Sequence, residues 1–365
     1  MVITGPYGRQ WISPAASAAF SPSVIHADEC CAKGKTQDAL ALYHTEAKYN
    51  RIAKRRLNIA KKQLKKSYVS SKASTGHDKL SLGFIDWYPG FEKDINDFIA
   101  LFSRAGLKTL TTSAEDADII VAGAYGNRLV NEPALSDDKL VIFVTGENLC
   151  PSYDIHDFSI STRIRSFCGK NIRLPQWLSD LSFDNNQIRL KPCQGDEYGS
   201  SGSRDLLISA IYNNSTPERE ELLYFLRGEF GVKNIHVYGS HRTGEVNKLQ
   251  ILSRTVINLC LENSLGEGYV TEKLLHARAM GCKALYWGDS SFSEDFRTEG
   301  ILNIRDVGSL KDVLDWCHFQ LQAPSPTKPN WSDVDPLIFA KNPVSTFNVS
   351  RLAEWARIVL AWRTL

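Results

Sequence analysis

No stretch of this 365-residue sequence approaches the roughly 18 consecutive apolar residues that a membrane-spanning helix needs. It also has no CxxC pair, no HExxH and no GxSxG. Zinc ribbons, dithiol redox centres, metalloproteases and serine hydrolases of those types therefore lack their residues. The eight cysteines (30, 31, 150, 168, 193, 260, 282 and 317) keep no regular spacing, and some, such as Cys260 in INLCLEN, sit inside apolar runs. They are expected to be reduced thiols acting as small hydrophobes, which fits a cytoplasmic protein. The first 28 residues hold no continuous apolar segment, being broken by Pro14 and Pro22, so no secretory signal is expected. An excess of one charge sign is missing too. Against 43 Lys and Arg stand 41 Asp and Glu, a net charge of +2 that argues against a nucleic-acid-binding surface.

What the sequence does have is core material: 43% of its residues are hydrophobic, and 16 Phe, 13 Tyr and 8 Trp supply large rings, enough for two domains. Its charge is unevenly spread. Residues 47–66 carry nine basic side chains and no acid, which leaves the rest of the chain net acidic. From Thr36 to Lys66 there is no Gly or Pro, and Tyr49, Ala53, Leu57, Ala60 and Leu64 recur at steps of three and four. This spacing predicts an amphipathic helix with most of its cations opposite the apolar stripe. Two uses are open to it: packing on its own protein or in a coiled coil, or peripheral contact of 47–66 with an anionic membrane. Two stripe residues are Ala and none is Trp or Phe, which favours packing. Residues 67–78, SYVSSKASTGHD, read as a linker.

Beyond the linker, strand-like and helical runs alternate: KLSLGFIDWY, FEKDINDFIALFSRAG, ADIIVAG, KLVIFVTGEN and DFSIST. A second series follows the loop-rich 179–203, from RDLLISAIYN through PEREELLYFLRGEFG, NIHVYG, NKLQILSRT, VINLCLEN, TEKLLHARAMG, KALYWG and ILNI to SLKDVLDWCHFQL. Two such series predict an α/β protein with two Rossmann-like domains. The expected boundaries are 1–78 for a basic helical extension and linker, 79–200 and 201–325 for the two domains, and 326–365 for a helical tail.

Residues 256–289 are the most informative. A buried strand ends at Glu262-Asn263, a loop with Gly266 and Gly268 follows, and a helix opens near Thr271, a suitable N-cap, and stops at Gly281. Such a loop lies at the carboxyl end of a parallel sheet, where open α/β folds bind ligands, and a helix N-terminus favours an anion. Lys273 occupies the first turn of that helix. Arg219 occupies the first turn of another, just after Thr216-Pro217. Cations there oppose the helix dipole, so two of them converging on a diphosphate is the functional reading, against two unrelated solvated residues.

ENSLGEGYVTEK, followed by a helix rich in small residues and by YWG, resembles the donor-binding signature of the α1,3/4-fucosyltransferases. Upstream, VIFVTGENLCPSYDIHDFSIS and NIRLPQWL resemble the acceptor-domain stretch of the bacterial members, although Leu149-Cys150 stand where some members have a second acid. ISAIYNNSTPERE resembles the segment between the two, and together the matches cover roughly 80–340. The resemblance implies a GT-B fold, with two Rossmann-like domains facing a central cleft. It also implies inverting transfer of fucose from GDP-fucose to a glycan hydroxyl, on GlcNAc or Glc in α1,3 linkage. Residue by residue it gives Glu147 as general base, Arg219 and Lys273 as pyrophosphate-binding cations, Glu272 as the carboxylate on the GDP ribose, and Asn263 and Tyr269 as further donor-site residues. No cofactor is then required, and a divalent metal is expected at most to stimulate.

Two DxD triplets compete as metal-diphosphate ligands, Asp116-Ala117-Asp118 and Asp333-Val334-Asp335. The first precedes a strand and so lies at the wrong end of a sheet; the second sits in a Pro-rich loop and reads as a turn former. Two other functions stay open at this point: a GT-B transferase using another nucleotide sugar, and a non-catalytic glycan- or nucleotide-binding protein.

Overall fold

Every strand of the two large sheets runs parallel to its neighbours, in a computed structural model that describes residues 21–70, 79–93, 97–184, 187–190, 204–239, 243–244, 246–323 and 349–364. Of these, residues up to 161, with 165–173 and the last helix, form one unit; 162–164 with 174–323 form the other.

The first unit opens with helices α1 (Pro22–Ala32), α2 (Thr36–Glu46) and α3 (Arg51–Ser70). Its sheet holds β1 (Lys79–Ile85), β2 (Lys108–Thr112), β3 (Ile119–Ala122), β4 (Leu140–Thr145), β5 (Phe158–Ser161) and β6 (Asn171–Arg173) in the order β2-β1-β3-β4-β5-β6. Helices α4 (Asp97–Arg104) and α5 (Arg128–Asn131) lie between strands. The expected strands and helix are all present. The edge strands β2 and β6 had no signal: β2 is KTLTT, with Lys108 and Leu110 exposed, and β6 is only three residues long.

The second unit begins at 174, not near 200. The stretch expected to be loop holds the β7 (Leu181–Asp184) and β8 (Gln187–Leu190) hairpin. Its parallel sheet has the order β10-β9-β11-β12-β13, from β9 (Leu206–Ile211), β10 (Ile235–Tyr238), β11 (Thr255–Leu261), β12 (Lys283–Trp287) and β13 (Ile301–Asn303). Between the strands run α6 (Pro217–Phe230), α7 (Lys248–Ser253) and α8 (Glu272–Ala279), and α9 (Leu310–Gln322) follows. Alternate residues of β11 feed two separate cores: Cys260 packs with Leu249, Leu274 and Trp177, while Leu259 and Leu261 pack with Leu222, Leu226 and Val313. A sheet covered on both faces explains why its strands are continuous apolar runs.

The single helix expected over 36–66 is broken at 47–50. Asn50 supplies the reason, since its Oδ1 accepts the backbone N–H of Ile52 (2.9 Å) and Ala53 (3.3 Å), capping α3. Ala53, Leu57 and Ala60 of the expected stripe are buried, and the buried face is wider than that stripe. Tyr49 is exposed, whereas Ile52, Ala53, Arg55, Arg56, Leu57, Ile59, Ala60 and Gln63 are buried. This face of the helix therefore packs on its own protein. Five of the nine cations, Arg51, Arg55, Arg56, Lys62 and Lys66, pair with aspartates of the same unit. Arg55 and Arg56 each donate to the fully buried Asp157 at 2.9 Å, and Arg56 also donates to Asp28. The C-terminal helix α10 (Val349–Leu360) joins this unit, stacking Trp355 on Phe158 with centroids 4.4 Å apart. The described parts of the extension, 21–70, and of the tail, 349–364, thus belong to the first unit.

Asp118, one half of the first DxD, is a buried structural hub. It accepts from Lys66 (2.6 Å), Gln63 (2.7 Å), the Ser81 hydroxyl (2.7 Å) and Arg363 (2.7 Å), tying α3, β1 and the C-terminus together. Asp116 turns back on Ser113, and Asp333 and Asp335 lie outside the described residues. Burial alone would raise the pKa of Asp118, but hydrogen bonds from Lys66 and Gln63 outweigh it and bring it down to about 2. A depressed carboxylate pKa stabilises the fold above its unfolded value and loses that contribution as pH falls through the folded value. Asp118 should therefore contribute ~2 kcal/mol at neutral pH, lost between about pH 4 and 2. Acid titration of wild type and Asp118→Asn by circular dichroism checks this: the variant should be less stable at pH 7, with the difference closing toward pH 2.

Candidate active site

In the second unit the site grows from the carboxyl end of β11. Glu262, the residue after the strand, is fully buried, and its backbone N–H donates to Trp287 O at 2.9 Å. Its carboxylate accepts the Thr271 N–H (2.8 Å) and hydroxyl (2.7 Å), with Lys273 Nζ 3.3 Å away. The start of α8 is thus tied back to the end of the strand. Between them the loop passes Gly268, whose φ is +77°. A Cβ there would come within 2.2 Å of Thr162 O, so only glycine fits. The Gly268 N–H is fixed by Asp289 at 2.9 Å.

Lys273 lies 3.0 Å from the Thr271 hydroxyl and 3.7 Å from Glu272, and Glu272 also pairs with Lys248 of α7 at 3.1 Å. Burial opposes the Lys273 charge, but Glu262 and Glu272 more than compensate and raise its pKa, so it stays an ammonium. For Glu272, burial is outweighed by Lys273 and Lys248, which take its pKa down to about 2. Glu262 differs: burial dominates and lifts its pKa despite Lys273.

Arg219 sits on the first turn of α6 behind Pro217, as expected, yet it is not a solvated residue: only 1% of it is exposed. It donates to Leu261 O (2.6 Å), to Asn263 Oδ1 (2.8 Å) and to Asn214 O, and its guanidinium lies 5.0 Å from the Tyr212 ring centroid. Tyr269 is buried in the same loop, donating its N–H to Gly266 O at 2.9 Å. Arg219, Asn263, Tyr269, Glu272 and Lys273 therefore gather around one strand end. Two cations from separate helix starts meet there over the buried Glu262 carboxylate.

Sequence reasoning missed Glu262 as the anchor, Lys248 as the partner of Glu272, and Gln176, whose Oε1 accepts the Glu272 N–H at 3.1 Å. Gln176 belongs to PQWL, assigned from the sequence to the first domain, but it docks on α8 of the second, with Trp177 Nε1 donating to Asp295 at 3.1 Å. Nothing local in PQWL marks that allegiance.

In the first unit, Glu147 stands two residues past β4, at the carboxyl edge of the sheet, and is exposed. Its N–H donates to Thr145 Oγ1 (3.0 Å), and its carboxylate accepts the Tyr125 hydroxyl (3.3 Å). The Tyr125 loop is held by Asp86, a non-glycine residue with φ +57°. Asp86 O accepts the Tyr125 N–H at 2.8 Å, and its carboxylate accepts the Arg128 N–H through both oxygens at 3.1 and 3.0 Å. A left-handed conformation at Asp costs free energy that these bonds offset, and it turns the chain so that two loops meet beside Glu147. Among the described residues, no three acidic, His or Cys side chains are grouped to hold a metal. No helix there is long and apolar enough to cross a membrane.

Two Rossmann-like units in succession, each a parallel sheet with helices between its strands, define a GT-B-type fold. Within that class, residues 82–179 match the family model of the alpha-(1,3)-fucosyltransferase FucT N-terminal domain. Alpha-(1,3)-fucosyltransferase FucT of Helicobacter pylori is 22% identical over 290 residues, 69% of this chain; the chain spans 59% of the length of that relative. The crystal structure of an alpha1,3-fucosyltransferase with GDP superposes with a TM-score of 0.53 at 19% identity, covering 79% of this chain and 92% of that one. A crystal structure with GDP-fucose gives 0.53 at 19% identity, over 76% and 92%. The family these comparisons support is the one that ENSLGEGYVTEK and TGEN resemble.

Proposed function

We propose that the protein transfers fucose from GDP-fucose to a hydroxyl of a glycan acceptor, with inversion. The observation that carries this reading is the convergence of buried Arg219 and half-buried Lys273, from two helix starts, on the end of β11. Arg219 and Lys273 hold the diphosphate, Glu272 accepts from the ribose, and Asn263 and Tyr269 complete the donor seat. Glu147 takes the proton of the acceptor hydroxyl, which attacks the anomeric carbon from the face opposite the leaving GDP. As that bond breaks, negative charge grows on the diphosphate, where the two cations are already in place. No cofactor is part of this scheme, and a divalent metal would only add to charge that the cations supply. The acceptor is a GlcNAc or Glc residue, linked α1,3. Attachment of 47–66 to an anionic membrane is a minor part of the reading, resting on exposed Lys48, Lys54, Lys61 and Lys65; the protein is assigned to the cytoplasm.

Thermal unfolding with GDP and with UDP tests the donor. A ligand at 100 times its dissociation constant stabilises by about 2.7 kcal/mol, so GDP should raise the midpoint clearly and UDP far less, in EDTA as in Mn²⁺. Equal shifts by UDP point to another nucleotide sugar. A GDP shift without any turnover of GDP-fucose, with or without acceptor, points to a binding protein. A GDP shift or turnover that vanishes in EDTA and returns with Mn²⁺ moves the diphosphate contact from the two cations to a metal.

A further inference from the structure

Beside Glu147 the first unit exposes two aromatic rings that core packing does not explain. Tyr88, after β1, is 49% exposed and Tyr125, after β3, is 57% exposed; their rings meet edge to face with centroids 5.9 Å apart. They are backed by a rigid layer. Trp87 stacks on Phe91 at 4.1 Å and tilts against Phe98 at 5.0 Å, while its Nε1 donates to Val121 O at 3.0 Å. Tyr88 stands edge-on to Phe91 at 5.7 Å. The Tyr125 loop packs closely on Asp86: a Cβ on Gly126 would lie 2.2 Å from Asp86 Oδ1 and one on Gly123 2.5 Å from Asp86 O. Two tyrosines are thus held half in water at the ligand edge of a parallel sheet, the hydroxyl of one bonded to an exposed carboxylate.

Resting on the transferase reading, we propose that Tyr88 and Tyr125 form a stacking platform for a pyranose ring of the acceptor, which lies with one hydroxyl toward Glu147. A pyranose is amphipathic in the same sense as tyrosine: its C–H face is apolar and its rim carries hydroxyls. An aromatic face takes the first, and the phenol and carboxylate take the second. Tyrosine suits the task because it offers a large contact with only two rotatable bonds to freeze. The Tyr125 hydroxyl has a second effect, as a positioning group. Donating to one oxygen of Glu147 fixes the carboxylate plane and leaves the other oxygen for the substrate proton.

The platform is read without turnover by saturation-transfer NMR on the full chain, with methyl β-N-acetylglucosaminide and methyl β-glucoside as probes. The C–H face protons should receive saturation in the wild type and in Tyr88→Phe, and lose it in Tyr88→Ala and in the Tyr88→Ala, Tyr125→Ala pair, with GDP affinity by calorimetry within twofold throughout. With N-acetyllactosamine as acceptor, Tyr88→Ala should raise KM about three- to tenfold, the span expected for one aromatic contact. Tyr125→Phe should keep KM and lower kcat severalfold. Both exposed positions tolerate truncation, and an unchanged melting curve verifies it. Undiminished saturation in the paired variant, or no saturation in the wild type, overturns the platform. GDP-fucose hydrolysis that persists in such a protein leaves the transferase reading standing. Sugar binding that depends on Tyr88 in a protein indifferent to GDP sinks the transferase reading while the platform survives.

Discussion

Glu147→Gln should lower fucose transfer by about 10²–10⁴-fold, the usual yield of a general base, while calorimetric affinity for GDP stays at the wild-type value. Glutamine keeps the size of the side chain and still presents an oxygen to the Tyr125 hydroxyl, so the loop contacts at 3.0 and 3.3 Å have no reason to change. What it cannot do is accept a proton. A sugar hydroxyl is too weak an acid to attack unaided, and Glu147 stands in the unit opposite in sequence to the residues assigned to GDP, so the loss should fall on kcat and not on donor binding. Initial rates at saturating GDP-fucose, beside calorimetry on the same preparation, give both numbers. Unchanged turnover places the base elsewhere; abolished GDP binding makes Glu147 a donor-site residue.

The parallel sheets were legible because buried strands such as VINLCLE and LVIFVT are apolar runs, and the helices between them carry their own stops, Gly231 after α6 and Gly281 after α8. The cluster at the end of β11 was legible for a related reason. A strand, a glycine loop and a cation on the first helical turn are local in sequence, so the chemistry is written within a dozen residues from Glu262 to Lys273. Long-range partners were not legible. The α3 cations looked like a solvated face, since nothing in RIAKRRLNIAKKQLKK announces Asp157 a hundred residues on or Asp118 beside Ser81. Buried arginines break the rule that the apolar stripe is the buried face, and a charged pattern reads as exposed until its counterions are placed. Domain boundaries failed in the same way: α10 returns to the first unit through Trp355 and Arg363, and PQWL crosses to the second through Gln176 and Trp177, contacts that composition does not encode.

Lys273→Ala should weaken the protein twice, and the two effects separate by pH. The ammonium lies 3.3 Å from Glu262, which has no exposed surface, so removing it strands a buried carboxylate and should cost about 3–5 kcal/mol of stability at neutral pH, as breaking a buried ion pair does. It also removes charge from the proposed diphosphate seat, so GDP affinity should fall, and kcat with it, because the lost charge acts most strongly as the bond to GDP breaks. Burial already raises the pKa of Glu262 with Lys273 as its chief opposition, so the variant raises it further. An acid whose folded pKa is raised destabilises the fold above that value and ceases to do so below its unfolded value, near 4.3. The stability deficit should therefore shrink as pH falls toward the unfolded carboxylate value and Glu262 takes up a proton, whereas the lost GDP affinity should not return. Pairing Lys273→Met with Glu262→Gln makes the same distinction at pH 7: the double variant should regain most of the stability, since the uncompensated charge is gone, and remain defective toward GDP. If affinity recovers with stability, Lys273 acts only through the fold and Arg219 alone holds the diphosphate.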